Sequence, residues 1–247
     1  MLVRDLMSSP PITMDARGSI AEAHSLMRHY QIRRIPILSR DRLVGIVSWT
    51  DLMRALPSPA TSLGAWEIPG LLLRASVKEI MTPTPVTIGP DQPVEEAAFL
   101  MRSRKIGGLP VVGNDGRLIG IITESDVFDA FLEMTGMRQG GVRLVVELGD
   151  DAGAIADVTA VLKAAGAALT SLAVYTEEGR RVALLRVATA DPARLAEALP
   201  ARGVRVRHLA TVVAPAPPAP ARPQAPVQRM PARDVPVWRS APEGPRL

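Results

Sequence analysis

Residues 3–56, VRDLMSSPPITMDARGSIAEAHSLMRHYQIRRIPILSRDRLVGIVSWTDLMRAL, return at residues 77–131 as VKEIMTPTPVTIGPDQPVEEAAFLMRSRKIGGLPVVGNDGRLIGIITESDVFDAF. The offset is 74 as far as Asp41/Asp115 and 75 from Leu43/Leu118 onward, so one residue is inserted in the turn between. Val3/Val77, Met7/Met81, Pro11/Pro85, Thr13/Thr87, Met27/Met101, Ile32/Ile106, Pro36/Pro110, Gly45/Gly120 and Asp51/Asp126 are identical pairs. Self-similarity that holds its register over so long a stretch marks a duplicated structural unit.

Each copy reads strand, helix, strand, strand, helix. In the first, Ile12-Thr13-Met14 is a short extended piece, and Ile20, Ala23, Met27 and Tyr30 recur at helical spacing behind a Ser19-x-x-Glu22 capping box. Ile35 to Leu38 and Leu43 to Val47 are apolar runs of strand length around a polar turn, which the second copy makes with Asn114-Asp115-Gly116. Leu52, Ala55 and Leu56 mark a second helix. Continuous apolar strands need cover on both faces, which two short helices cannot supply, so the copies are expected to pack together as a pair.

Residues 57–76 hold three prolines around Trp66 and Leu71-Leu72-Leu73, and read as a linker with a short apolar helix. Beyond Gly140 the pattern changes. A strand at 142–148, a turn through Asp150 to Gly153, a helix over 154–165, strands near 168–175 and 181–188 around Glu177-Glu178-Gly179, a helix near 192–200 and a strand over 204–213 follow in order. That β-α-β-β-α-β succession is ferredoxin-like, so the chain is of the α+β class. From 214 to 247, 10 of 34 residues are Pro and 7 are Ala, a composition that stays extended and solvated and reads as a disordered tail.

Charge supports this division. Residues 1–140 carry 15 basic and 15 acidic side chains, whereas the tail carries 5 and 2, so the net charge of +4 sits mostly at the end of the chain. No folded stretch concentrates basic residues with aromatic base readers, which argues against a nucleic-acid partner. The absence of cysteine removes thiol and disulfide chemistry, and no apolar run reaches membrane-span length. The expectation is a soluble cytoplasmic protein with no membrane partner. His24, His29 and His208 lack metal-helix spacing, and no Walker loop or Gly-x-Gly-x-x-Gly is present, so no metal, catalytic residue or catalytic cofactor is expected.

The motif with chemical content is apolar strand, hydroxyl, two residues, aspartate: Gly45 to Ser48 and Asp51, then Gly120 to Thr123 and Asp126. A hydroxyl at a helix start can hold an anion, and a carboxylate there can accept from the two hydroxyls of a ribose. The plainer alternative is that Ser48 and Thr123 cap their helices while Asp51 and Asp126 complement the helix dipole. Recurrence inside a recurring unit favours the ligand reading.

With the -IPIL- and -LPVV- strands, these Gly-h-h-[Ser/Thr]-x-x-Asp motifs and the Met-x-x-x-Pro lead-ins, residues 1–134 resemble paired cystathionine-β-synthase-type (CBS) repeats. The C-terminal unit is similar to an ACT domain, through Asp151-Ala152-Gly153 and Gly166 to Leu169, and the whole resembles the acetoin-utilisation B-type CBS–ACT regulators. The resemblance implies CBS repeats at 1–56 and 77–134, an ACT domain at 141–213 and a homodimer. It implies AMP, ADP or ATP as regulatory ligand beside Ile12, Thr13, Arg34, Pro36, Ser48 and Asp51, and beside Val86, Thr87, Gly108, Pro110, Thr123 and Asp126. It implies an amino-acid effector near Asp151, Gly153 and Leu169. Many ACT domains have Pro at the position of Ala152 and Asn at that of Ala168, so a purely dimerising ACT role stands beside effector binding. The expected function is a non-enzymatic adenine-nucleotide sensor acting on an unknown regulated enzyme. An oligomerising scaffold with vestigial sites and a nucleotide hydrolase are the alternatives. The two sites are expected to differ, because Arg33-Arg34 precede the strand proline in one copy and Gly107-Gly108 in the other.

Overall fold

The computed structural model describes residues 1–55, 75–149 and 152–215, so the linker helix expected within 57–76 and the tail beyond 215 lie outside the described residues. The chain forms two compact units, the first reaching Val127 and the second starting at Phe128.

In the first unit, one repeat contributes α1 (Val3–Leu6), β1 (Met14–Asp15), α2 (Ile20–Tyr30), β2 (Arg34–Ser39), β3 (Arg42–Ser48) and α3 (Trp49–Ala55). The other contributes a 3-10 turn (Val77–Glu79), β4 (Thr82–Pro83), α4 (Val94–Arg104), β5 (Gly108–Val112), β6 (Leu118–Thr123) and the first turn of α5 (Glu124–Met134), a helix that continues past Val127 into the second unit. The capping box forms as its spacing predicts: Ser19 N–H donates to Glu22 Oε2 at 2.7 Å, and Glu22 N–H to Ser19 Oγ at 3.2 Å. Ile20, Ala23 and Met27 are the buried stripe of α2. The β2–β3 turn places Arg40 and Asp41 at φ 49° and 64°, the two positive values of a type I′ hairpin that suits the strands' right-handed twist.

β1 runs parallel to β2 (Met14 opposite Ile37), and Ile88 bridges in parallel to Val111, so each extended piece joins its own repeat. What precedes it crosses over. Val3 N–H donates to Gln92 O and Val77 N–H to Gly18 O, both at 2.9 Å. β4 pairs antiparallel with β3 of the first repeat. In mirror fashion Ser8 and Ile121 exchange two backbone hydrogen bonds, at 2.9 and 3.1 Å. Val3 and Val77 are fully buried, and Val77 packs in the first repeat's core with Met14, Ile20, Met27, Ile35 and Leu52. The expected pairing is therefore a reciprocal exchange of lead-in segments, which supplies the cover that each repeat lacks alone.

Gly45 and Gly120 make the exchange sterically possible. A Cβ on Gly45 would sit 2.4 Å from Met81 Sδ and 3.1 Å from Thr82 O; one on Gly120 would sit 2.5 Å from Met7 Sδ and 3.1 Å from Ser8 O. The methionines of the two Met-x-x-x-Pro lead-ins thus lie flat over the glycines of the opposite repeat.

In the second unit β7 (Gly141–Leu148), α6 (Ala154–Ala164), β8 (Ala168–Glu177), β9 (Arg180–Ala188), α7 (Pro192–Ala201) and β10 (Arg205–Val212) form the expected β-α-β-β-α-β order, within two residues of the expected bounds. The sheet order is β10-β7-β9-β8, with every neighbouring pair antiparallel. Val142, Leu144, Val146 and Leu148 meet Leu185, Val187 and the helical residues Val158, Leu162, Leu195 and Leu199 in one core. Arg186 is the buried charged side chain of this unit, donating from Nε to Thr135 O at 3.1 Å. Burial, then the nearby Arg143, lowers its pKa.

Replacing Gly120 with Val forces β-branched bulk against the Ser8 backbone, where the methionine tip alone cannot relieve it. Overpacking of this kind costs about 1–3 kcal/mol, or roughly 2–10 °C in Tm. Thermal denaturation of Gly120→Val tests this; an unchanged Tm shows that the lead-in does not hold its place against β6.

Candidate functional site

Strand direction assembles the candidate residues. Because β1 and β2 are parallel and β3 returns antiparallel, the approach to β1 (Ile12, Thr13), the start of β2 (Arg34) and the end of β3 (Ser48) share one end of the sheet. Arg34 lies directly opposite Ser48, and in the second repeat Gly108 lies opposite Thr123. Ile12 and Thr13 are half-buried, while Val86 and Thr87 are exposed. Pro36 and Pro110 sit two residues inside, buried and paired with Ile46 and Ile121. Pro110 has no N–H to give, but its carbonyl accepts from Ile88 N–H at 3.1 Å, tying the lead-in to β5.

At the helix starts the capping alternative is realised in full in the first repeat, and in the second through the aspartate. Ser48 donates to Asp51 Oδ2 from its backbone N–H at 2.8 Å and from Oγ at 2.6 Å, and Asp51 N–H returns to Ser48 Oγ at 3.3 Å. Thr123 likewise donates to Asp126 Oδ2 from N–H and from Oγ1, both at 2.7 Å. Both bonds fall on one oxygen, which fixes the plane in which each carboxylate stands. A cap of this kind orients an acceptor as well as ending a helix.

The two ends differ where the sequence differs. The Arg34 side chain crosses to the second repeat, where a Cβ on Gly107 would stand 1.9 Å from its Nη2 and one on Gly108 would stand 3.0 Å from its Cδ. Its Nη2 lies 3.9 Å from Glu124 Oε2, and the arginine side chain is 23% exposed. Burial lowers its pKa, Glu124 opposes that shift and Arg33 adds to it. Arg33 itself is exposed, as an alternating neighbour on extended chain must be. The position after the hydroxyl is Trp49 in one repeat and Glu124 in the other. Trp49 stacks on His24 with ring centroids 5.3 Å apart, a pairing the sequence did not signal because the two lie on different helices.

Of the expected effector residues, the two described ones, Gly153 and Leu169, do not meet within one chain. Leu169 stands level with Val187 and Val142, at the start of β7, whereas Gly153 follows the opposite end of that strand, about 20 Å away at roughly 3.3 Å per residue. Asp151 lies outside the described residues. Among the described residues no group of three His, Asp or Glu side chains could hold a metal ion, and no helix is long and apolar enough to cross a membrane.

Two repeats that exchange their lead-ins and repeat one hydroxyl–aspartate helix start define a tandem-repeat pair. The CBS domain family model matches residues 3–58 and 77–133. A CBS domain-containing protein of Dictyostelium discoideum is 36% identical over 135 residues, 54% of this chain and 93% of that protein. The inosine-5'-monophosphate dehydrogenase of Korarchaeum cryptofilum is 38% identical over 127 residues, 51% of this chain but 22% of the enzyme, so this chain spans under a quarter of that relative. A Vibrio cholerae protein solved as a candidate acetoin utilization protein is 31% identical, with a TM-score of 0.46 over 56% of this chain and 96% of that one. The chain belongs to the CBS domain family.

His24 gives this end of the fold a pH dependence. Burial, then Arg28, lowers its pKa below the ordinary 6.5, so the folded protein binds fewer protons at this site than the unfolded chain. The contribution is complete above about pH 6.5 and is lost as pH falls through the folded value. Denaturant unfolding at pH 7.5 and 5.5 is expected to show lower stability at the acid value, with a smaller difference in His24→Gln; an identical difference in that variant excludes His24 as the cause.

Proposed function

We propose that the CBS pair is a regulatory sensor of adenine nucleotides, AMP, ADP or ATP. The observation that carries this reading is the doubled geometry: at each of two like sheet ends, a cap-oriented carboxylate stands beside a hydroxyl, an extended lead-in and a strand start. In this reading Asp51 and Asp126 accept from the ribose hydroxyls, Ser48 and Thr123 face the phosphate side, and Ile12, Thr13, Pro36, Val86, Thr87, Gly108 and Pro110 flank the base with backbone and apolar surface. The matching stretch is a minor part of the dehydrogenase relative, in keeping with an accessory rather than a catalytic role.

The repeats span 1–56 and 77–134 in this assignment, and the second unit, 141–213, is an ACT-type domain. It passes the signal to a metabolic partner, in acetoin or related carbon metabolism, in the cytoplasm, without itself catalysing a reaction. An amino-acid effector bound through Asp151, Gly153 and Leu169 needs a second copy to complete its site, because the sheet holds Gly153 and Leu169 apart. A scaffold role for the same unit is favoured by one observation: Leu169, Leu172, Val174 and Tyr175 are exposed on β8, an edge strand.

Calorimetric titration with AMP, ADP and ATP tests the sensor. Binding is expected, weakened about tenfold or more at the altered site in Asp51→Ala and in Asp126→Ala, as loss of a charge-assisted hydrogen bond implies. Absence of binding by the unaltered protein leaves the scaffold reading. For association, Leu172→Lys places a charge on the β8 edge and is expected to reduce a dimer to monomers by light scattering; an unchanged dimeric mass moves the interface elsewhere.

A further inference from the structure

Arg34 begins in one repeat and ends in the other. Its backbone opens β2 opposite Ser48, yet its guanidinium lies over Gly107 and Gly108, beside the first turn of α5. Gly108 is the residue that duplication places in register with Arg34, and Gly107 that in register with Arg33. The equivalent positions thus face each other, and the space there admits one long side chain, not two. A Cβ at Gly107 would overlap Nη2 at 1.9 Å, so the glycines are the room that the arginine occupies.

The guanidinium is poorly matched where it lies. The side chain is half-buried, and Glu124 approaches it at 3.9 Å, beyond hydrogen-bond range, from a side chain that is 59% exposed. A half-buried cation with so loose a partner favours an anion that can come closer and present two oxygens to its fork. Thr123 and Asp126, the ribose-facing pair of the second end, flank Glu124 in sequence on the same helix start.

We propose that Arg34 of the first repeat reads the phosphate of a nucleotide held at the second repeat's end, and that Glu124 is the internal anion this phosphate displaces. The inference rests on the adenine-nucleotide reading above and adds to it. One phosphate-reading arginine then serves the pair. The first end, where Trp49 and His24 stack in place of the glutamate, receives no reciprocal arginine from Gly108, so the second end distinguishes a phosphate from its absence more strongly than the first.

Titrating the full chain with adenosine and with AMP separates the two layers. Failure of both adenosine and AMP to bind removes the underlying reading, whereas AMP binding without adenosine binding supports a phosphate contact at the site. Given adenosine binding, the unaltered protein is expected to prefer AMP about tenfold or more at one of two sites, and Arg34→Ala to abolish that preference. Glu124→Gln is expected to raise AMP affinity about two- to fivefold by removing the competitor. An AMP-to-adenosine ratio unchanged in Arg34→Ala overturns the proposal, and a lowered Tm in that variant with the ratio intact assigns the contact to holding the repeats together. AMP affinity that falls in Glu124→Gln overturns the displacement step.

Discussion

Backbone polar groups that leave water must find partners, and in the repeat pair those of each lead-in find them on the other repeat. Everything functional follows from where the chain then has to travel. Ser8 is bonded to Ile121 of β6, and six residues later Met14 is paired with Ile37 of β2. The stretch between, which contains Ile12 and Thr13, is the passage from one sheet to the other. Residues 83–87 make the same passage in the opposite sense, from Gly45 to the bridge at Ile88. The candidate residues therefore gather at the crossings because the exchange carries the chain past both strand ends there.

A duplicated unit paired about a pseudo-two-fold relation can stay alike wherever its copies are apart, but not where they touch at equivalent positions. Gly45 and Gly120 remain glycines because each meets a different partner, Met81 or Met7. Positions 34 and 108 meet each other. There the copies hold arginine and glycine, which makes a nearly symmetric scaffold chemically one-sided without altering its strand pairing.

Local signals in the sequence translated directly into structure. The Ser19-x-x-Glu22 box, the Asn114-Asp115-Gly116 turn and the alternation through the second unit act over a few residues, and each is found within two residues of its expected place. The hydroxyl–aspartate spacing was legible too, although the chemistry observed is the cap, with ligand binding proposed on top of it. Other features depended on distant partners. Periodicity says nothing about Met7 lying over Gly120 or Ser8 pairing with Ile121, since neither lead-in is long enough to show a strand pattern. The Arg34/Gly108 contrast was visible as an asymmetry, but the direction of the side chain depends on which copy yields space. The separation of Gly153 from Leu169 needed the register of β7, β9 and β8, which no residue spacing encodes.

The crossed lead-ins also set an order in time. The first lead-in is made well before the strand it pairs with: Ser9 Oγ donates to Ile119 O across 110 residues of chain, a contact available only after the second repeat has been made. Closing so long a loop costs entropy before any contact repays it, and contacts of such separation slow folding. Until then β3 has an open edge beside Gly45, with no β4 to cover it. A chain holding only the first repeat thus leaves open an edge that the lead-in of a neighbouring chain could fill by the same hydrogen bonds.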